Sequence, residues 1–206
     1  MKKSIVVFAS GTGSNFKNII KKIKLHRLNA QVNLLVSNNS NCKAIDFAKR
    51  NNIETFVYNS KRYPDDLNQD ILLQNLNQYK VDLILLAGYM KKISKTIVRF
   101  YKNKILNIHP SLLPKYGGKG FYGMKVHEAV YKNQDKKSGA TVHFVDENYD
   151  TGPILLQKEI SLLPSENSLT IAKKVLDIEH EIYFQGVSLF CNNKIHWKKG
   201  KLLIEE

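Results

Sequence analysis

The chain has 206 residues, with 32 Lys and Arg against 18 Asp and Glu, a net charge of +14 and a pI near 9.6. That length buries a core without staples, and two distant cysteines, Cys42 and Cys191, exclude both a disulfide framework and a cysteine zinc site. No apolar run approaches the roughly 18 residues that span a bilayer, and the lysines are spread along the chain without a nucleic-acid-reading motif. The charge is read as a general residue bias that still helps gather anionic substrates. The expectation is a cytoplasmic protein without nucleic-acid or membrane partners.

Residues 3–9 read as a buried strand. A basic start followed by apolar residues imitates a signal peptide, but the apolar part stops after about six residues and runs into Gly11-Thr12-Gly13. The turn Gly11-Thr12-Gly13-Ser14-Asn15 then opens a helix over 15–27, so its amides form an anion site. Phe16 stands where a dinucleotide fingerprint needs its third glycine, and the Gly-Lys-Ser/Thr of a P-loop is absent, which favours a single phosphate over a pyrophosphate. A plain strand-to-helix turn capped by Ser14 or Asn15 is the competing reading.

Further strands are expected at 31–37, 54–58, 81–87 and 104–108, and helices at 41–51 and 65–79. Alternating strand and helix predicts an α/β fold: a Rossmann-like, mostly parallel sheet with helices on both faces. Residues 1–206 are expected to form a single domain, with a phosphate-binding half over 1–110 and a half over 111–206 that completes the cleft.

The segment Asn107-Ile108-His109-Pro110-Ser111-Leu112-Leu113-Pro114 ends the fifth strand with an amide and an imidazole two residues apart. Alternate residues of a strand face the same way, so both side chains meet one reacting atom. The two prolines stiffen the exit by fixing φ. Residues 115–123 carry four glycines and read as a mobile loop. A helix at 125–132, strands at 140–145 and 153–161, a long helix over 167–191 begun near Ser165 or Ser168, and a hairpin over 195–204 turning at Lys199-Gly200 complete the pattern.

His143, on one face of a strand, reads as packing. Asp150 lies among turn residues, where an acid commonly caps a turn; folded back toward His109 it would raise that histidine's pKa and orient it for acid–base work. Tyr149, His180 and Trp197 could each serve ligand stacking or catalysis, but burial explains them as well. Glu179 on the last helix is expected to face the cleft. No His, Cys, Asp or Glu cluster has metal-ligand spacing, so no metal is expected.

Gly-Thr-Gly-Ser-Asn at 11–15, Leu86-Ala87-Gly88-Tyr89-Met90, the 107–114 segment and Asp150-Thr151-Gly152-Pro153-Ile154 together resemble the phosphoribosylglycinamide formyltransferases of purine synthesis, in order and spacing, from about residue 3 to about residue 190. The resemblance implies formyl transfer from 10-formyltetrahydrofolate, as co-substrate, to the amine of glycinamide ribonucleotide by a monomer or weak homodimer. It implies Asn107, His109 and Asp150 as catalytic residues, His109 acting as a cation. Thr12, Gly13, Ser14, Asn15 and Glu179 bind the ribonucleotide. Met90, Lys91, Lys92 and Ile93, with Asn107 and the loop Asp146, Glu147, Asn148, Tyr149 and Asp150, bind the folate. Lys91-Lys92 departs from the Arg-apolar pair of many members, and the folate-tail arginine falls around Asp65, with Arg62 or Lys61 as substitutes. The 115–123 loop departs too, and reads as a lid on the folate side. Methionyl-tRNA formyltransferase and formyltetrahydrofolate hydrolase share the same three residues but normally carry an extra domain. A nucleotide- or RNA-binding module would rest on charge alone.

Overall fold

A computed structural model describes residues 1–64 and 70–205. The chain gathers into two compact units, Met1–Leu106 and Asn107–Glu206. The strands are β1 (Lys3–Phe8), β2 (Ala30–Ser37), β3 (Glu54–Val57), β4 (Leu83–Leu86), β5 (Ile105–His109), β6 (Lys137–Phe144), β7 (Ile154–Ser161), β8 (Ile195–Lys198) and β9 (Lys201–Ile204). The helices are α1 (Ser14–Lys24), α2 (Lys43–Arg50), α3 (Asp70–Asn77), α4 (Lys95–Phe100), α5 (Met124–Lys132) and α6 (Ser168–Cys191). The main sheet has the order β3-β2-β1-β4-β5-β6-β7, and β8-β9 form a separate hairpin.

In the first unit β1 pairs parallel with both β2 and β4, and β2 with β3. Ile5, Val6, Val7 and Phe8 of β1 are all buried, as are Leu83 to Leu86 of β4. Such continuous apolar strands suit a parallel sheet covered on both faces, and each fully buried aliphatic side chain contributes roughly 1.5–3 kcal/mol. Helix α1 buries Phe16, Ile19 and Ile20, and the Phe16 ring meets Phe47 of α2 edge-on at 5.3 Å.

In the second unit β6 and β7 run antiparallel, with an irregularity between Val142 and His143. Helix α6 packs on both strands and on α5. Its fully buried Tyr183 is pushed well above the usual phenol range by burial and then by the charge of Glu179. The sequence placed the start of α6 near Ser165 or Ser168, and the cap is Asn167: its side chain accepts from the Thr170 amide, and the Thr170 hydroxyl accepts from the Asn167 amide.

Most predicted elements are present with ends shifted by one to three residues. The six-residue α4, capped by Ser94 through the Ile97 amide at 3.2 Å, was missed because so short a segment shows no helical period. Of the predicted helix over 65–79, residues 65–69, Asp65 among them, lie outside the described residues. Arg62 is exposed, and its amide donates to the Asn59 side chain at 3.0 Å.

Candidate active site

The turn after β1 is built from main chain. Gly13, not Ser14 or Asn15, caps α1, in a left-handed conformation with φ 68° and no side-chain cap. A Cβ on Gly13 would lie 2.9 Å from the Ala44 Cβ, so glycine is required by both space and φ. The Gly13 carbonyl takes the first helical bond from Lys17 at 2.8 Å, and the Ala44 amide ties the Gly11 carbonyl at 3.1 Å. No side chain caps α1, and its opening amides lie at the positive end of the helix dipole. Thr12 is exposed, Ser14 half-buried and Asn15 buried. Sequence reasoning missed Ser10, whose hydroxyl donates to Asn38 and accepts from the Met90 amide at 2.8 Å, tying the turn to the 90–93 segment. In that segment Met90, Lys91 and Lys92 are exposed, whereas Ile93 is 6% exposed and belongs to the core. A contact from Ile93 to folate is therefore limited to its backbone.

In the second unit the end of β5 carries the half-buried Asn107 and the buried His109 on one face. The His109 Nε2 lies 2.8 Å from the Tyr116 carbonyl, so Nε2 carries a proton and donates. Its Nδ1 lies 3.7 Å from Asp150 Oδ2. Asp150 Oδ2 also accepts the Gly118 amide at 2.9 Å, and Oδ1 faces His143 Nε2 at 3.6 Å and Asn107 Nδ2 at 3.5 Å. His143 donates from Nδ1 to the Phe144 carbonyl at 2.9 Å, so its Nε2 accepts from the Asn107 amide at 3.1 Å. That pairing fixes which end of the Asn107 amide is the donor.

Three of the expected residues are thus brought together, and His143, read as packing, joins them. It is buried, next to the register irregularity in β6, and its ring faces Asn107 and Asp150. His127 of α5 was also missed: it is buried, and among the described residues its Nδ1 has no hydrogen-bond partner. Burial, then the charge of nearby His109, holds its pKa down to about 4. Nothing in the spacing of one histidine on a nine-residue helix signals that proximity.

Asp150 is expected to raise the His109 pKa; it does pull that way, but the net shift is downward. Burial pushes His109 below its ordinary 6.5, outweighing the opposite pull of Asp150 and of the Tyr116 carbonyl, and His143 adds to the lowering. His109 is therefore neutral at pH 7. Burial pushes Asp150 up, but His143, His109 and the Gly118 amide together hold it below the ordinary carboxylate range, so it is ionised.

The 115–123 segment is tied to this cluster at Tyr116 and Gly118. At Gly117 between them a Cβ would come within 2.6 Å of the Leu113 Cδ2 methyl, which would have to move. In the 146–150 loop Asp146 is committed to shaping the turn, accepting from the Asn148 amide at 3.0 Å and the Thr151 hydroxyl at 2.8 Å. Glu147 is half-buried and Asn148 exposed; Tyr149 is 41% exposed, so burial does not explain it, and Glu179 is half-buried on α6 beside Tyr183. Trp197 is half-buried and packs edge-on against Phe144 at 5.0 Å. Among the described residues no group of His, Cys, Asp and Glu could hold a metal ion, and no helix is long and apolar enough to cross a membrane.

A mostly parallel α/β sheet, with an amide, an imidazole and a carboxylate gathered at one strand end, defines a group-transfer domain of the formyltransferase type. The family model described as formyl transferase matches residues 3–187. A phosphoribosylglycinamide formyltransferase of Bacillus subtilis is 38% identical over 88% of this chain and 91% of its own length. A chloroplastic phosphoribosylglycinamide formyltransferase of Vigna unguiculata is 42% identical over 96% of this chain, which spans 64% of that relative. The solved glycinamide ribonucleotide transformylase 1 of Geobacillus kaustophilus matches with a TM-score of 0.85 at 36% identity, over 93% of this chain and all of that one. The chain belongs to the formyl transferase family, among its phosphoribosylglycinamide formyltransferases.

Proposed function

We propose that this protein transfers a formyl group from 10-formyltetrahydrofolate to the amine of glycinamide ribonucleotide, giving formylglycinamide ribonucleotide and tetrahydrofolate in purine synthesis. The observation that carries the reading is the Asn107, His109 and Asp150 cluster in a chain of this family. The 206 residues act as one formyltransferase domain, in the cytoplasm, as a monomer or weak homodimer.

The amine nitrogen attacks the formyl carbon, and the carbonyl oxygen becomes an oxyanion. Asn107, held through one N–H by His143, shifts its other N–H from the long 3.5 Å contact with Asp150 to that oxygen; an oriented donor of this kind is worth about 10²–10³ in rate. The attacking nitrogen must lose one proton, and the departing folate nitrogen must gain one. His109 starts neutral with its Nε2 proton held by Tyr116, so Nδ1 takes the proton, and the ionised Asp150 beside it stabilises the imidazolium. Collapse of the tetrahedral intermediate breaks the bond from formyl carbon to folate nitrogen, which receives the proton. His109 thus serves as base first and acid second.

The amides of Ser14 and Asn15, presented by Gly13 with Thr12 beside them, bind the phosphate of the ribonucleotide, and Glu179 binds its glycinamide side. Met90, Lys91, Lys92 and the backbone at Ile93 bind folate, as do the groups of 146–150.

The test is release of tetrahydrofolate with and without glycinamide ribonucleotide, in wild type and Asp150→Asn. Release that needs the ribonucleotide and collapses in the variant is the expected result. Release without it would identify a hydrolase, and no release would sink the reading.

A further inference from the structure

The His109 Nε2 bond ends on a backbone carbonyl whose own residue sits in an unfavourable conformation. Tyr116 has φ 55°, in the left-handed region that a bulky side chain seldom occupies. Its carbonyl points at His109 only while the turn keeps that shape, so another contact must hold it there. The Tyr116 phenol donates to Asp135 Oδ2 at 2.7 Å and accepts from Asn133 Nδ2 at 2.7 Å. The preceding Lys115 donates Nζ to both oxygens of the same carboxylate, at 2.7 and 2.8 Å, and its carbonyl accepts the Ser111 hydroxyl at 2.6 Å. Asp135 is itself anchored just past α5, where its amide bonds the Val130 carbonyl at 3.2 Å. Its side chain is 16% exposed, against 59% for Lys115, so the phenol contact is the more sheltered of the two.

We infer that Asp135 is a positioning residue for formyl transfer: by gripping the Tyr116 phenol and Lys115 it holds the Tyr116 carbonyl on His109 Nε2. The grip keeps the Nε2 proton in place and leaves Nδ1 as the nitrogen that exchanges a proton during the reaction. It also seats Gly118, two residues on, whose amide binds Asp150. The inference rests on the reading of His109 as the proton carrier.

The test uses Tyr116→Phe, Asp135→Ala and Asp135→Asn in the full chain. The variants are followed by turnover, by the KM of each substrate and by the NMR titration of His109 without substrate. The ionisable groups facing His109 are Asp150, His143 and His127, and none is altered. Tyr116→Phe changes no charge at neutral pH, and Asp135→Asn keeps an oxygen for the phenol. The expected result is a loss of about tenfold in kcat for Tyr116→Phe and Asp135→Ala, with both KM values within about twofold. The His109 midpoint moves down, because the carbonyl bond that favours the charged ring is weakened. Asp135→Asn recovers most of the rate, and Lys137→Ala, which removes a surface pair with Glu159, changes neither readout. A His109 midpoint that stays at the wild-type value in these variants overturns the inference, whatever happens to thermal stability. A midpoint that moves in a protein unable to transfer formyl supports the positioning role and sinks the functional reading instead.

Discussion

At the turn after β1 the polar groups on offer are main-chain amides, and their direction is set by one left-handed glycine wedged against Ala44. At the end of β5 they are side chains, and four of them, Asn107, His109, His143 and Asp150, set one another's direction and charge. The first arrangement is fixed by sterics, a left-handed φ and the close approach of Ala44, and has no titrating part. The second is fixed by contacts 36 and 43 residues apart in the chain, and its charge state depends on every member. A main-chain anion site should therefore fail by shape, and a side-chain site by charge.

Removing chemistry at β5 gives the largest effect. His109→Ala should lower kcat by about 10³-fold or more and Asn107→Ala by about 10²–10³-fold, with the KM of the ribonucleotide little changed. Steady-state kinetics that showed the loss in KM instead would erase the distinction between the regions.

Shape failure at the turn comes next. Gly13→Ala brings a Cβ to 2.9 Å from Ala44 and places it at φ 68°, a cost of about 2 kcal/mol. Urea unfolding should report that loss, and the ribonucleotide KM should rise with kcat nearly intact. Unchanged stability would show that the glycine is not wedged.

Charge failure in the second unit also has a stability signature. His127 is held down to about 4 by burial and by His109, while the unfolded chain binds its proton near 6.5. The folded state then binds fewer protons, so stability is full above pH 6.5 and falls as pH drops from 6.5 toward 4, by on the order of 2 kcal/mol. His127→Leu should flatten that part of the curve in chemical denaturation at stepped pH, and a slope equal to wild type would contradict it.

The smallest effect belongs to the exposed rim. Lys91→Ala should raise folate KM by about two- to fivefold, and no change would remove Lys91 from the folate site.

Local patterns in the sequence were enough for β1, β4, the glycine turn and the spacing of Asn107 and His109, because each follows from a period of two or a single φ requirement. The competing reading of a Ser14 or Asn15 N-cap rested on the right chemistry, whereas the close approach of Ala44 that selects Gly13 is a long-range contact. The neutral resting state of His109 had the same origin: Asp150 does pull its pKa up, but the burial that outweighs it is a property of the packed unit. Tyr116 acts through a carbonyl, which every residue has, and no side-chain motif announces it.

Asn107 and His109 ride on a strand whose neighbouring Leu106 and Ile108 are 0% and 5% exposed, while Asp150 and Tyr116 hang on turns outside any regular element. Opening of the strand half is tied to unfolding of the core, and opening of the turn half is not. Amide exchange should therefore be slow from 105 to 109 and faster across 115–120 and 146–152. A small sub-global opening would then strip the imidazole of both its carbonyl and its carboxylate, so activity would fade on warming before the protein melts.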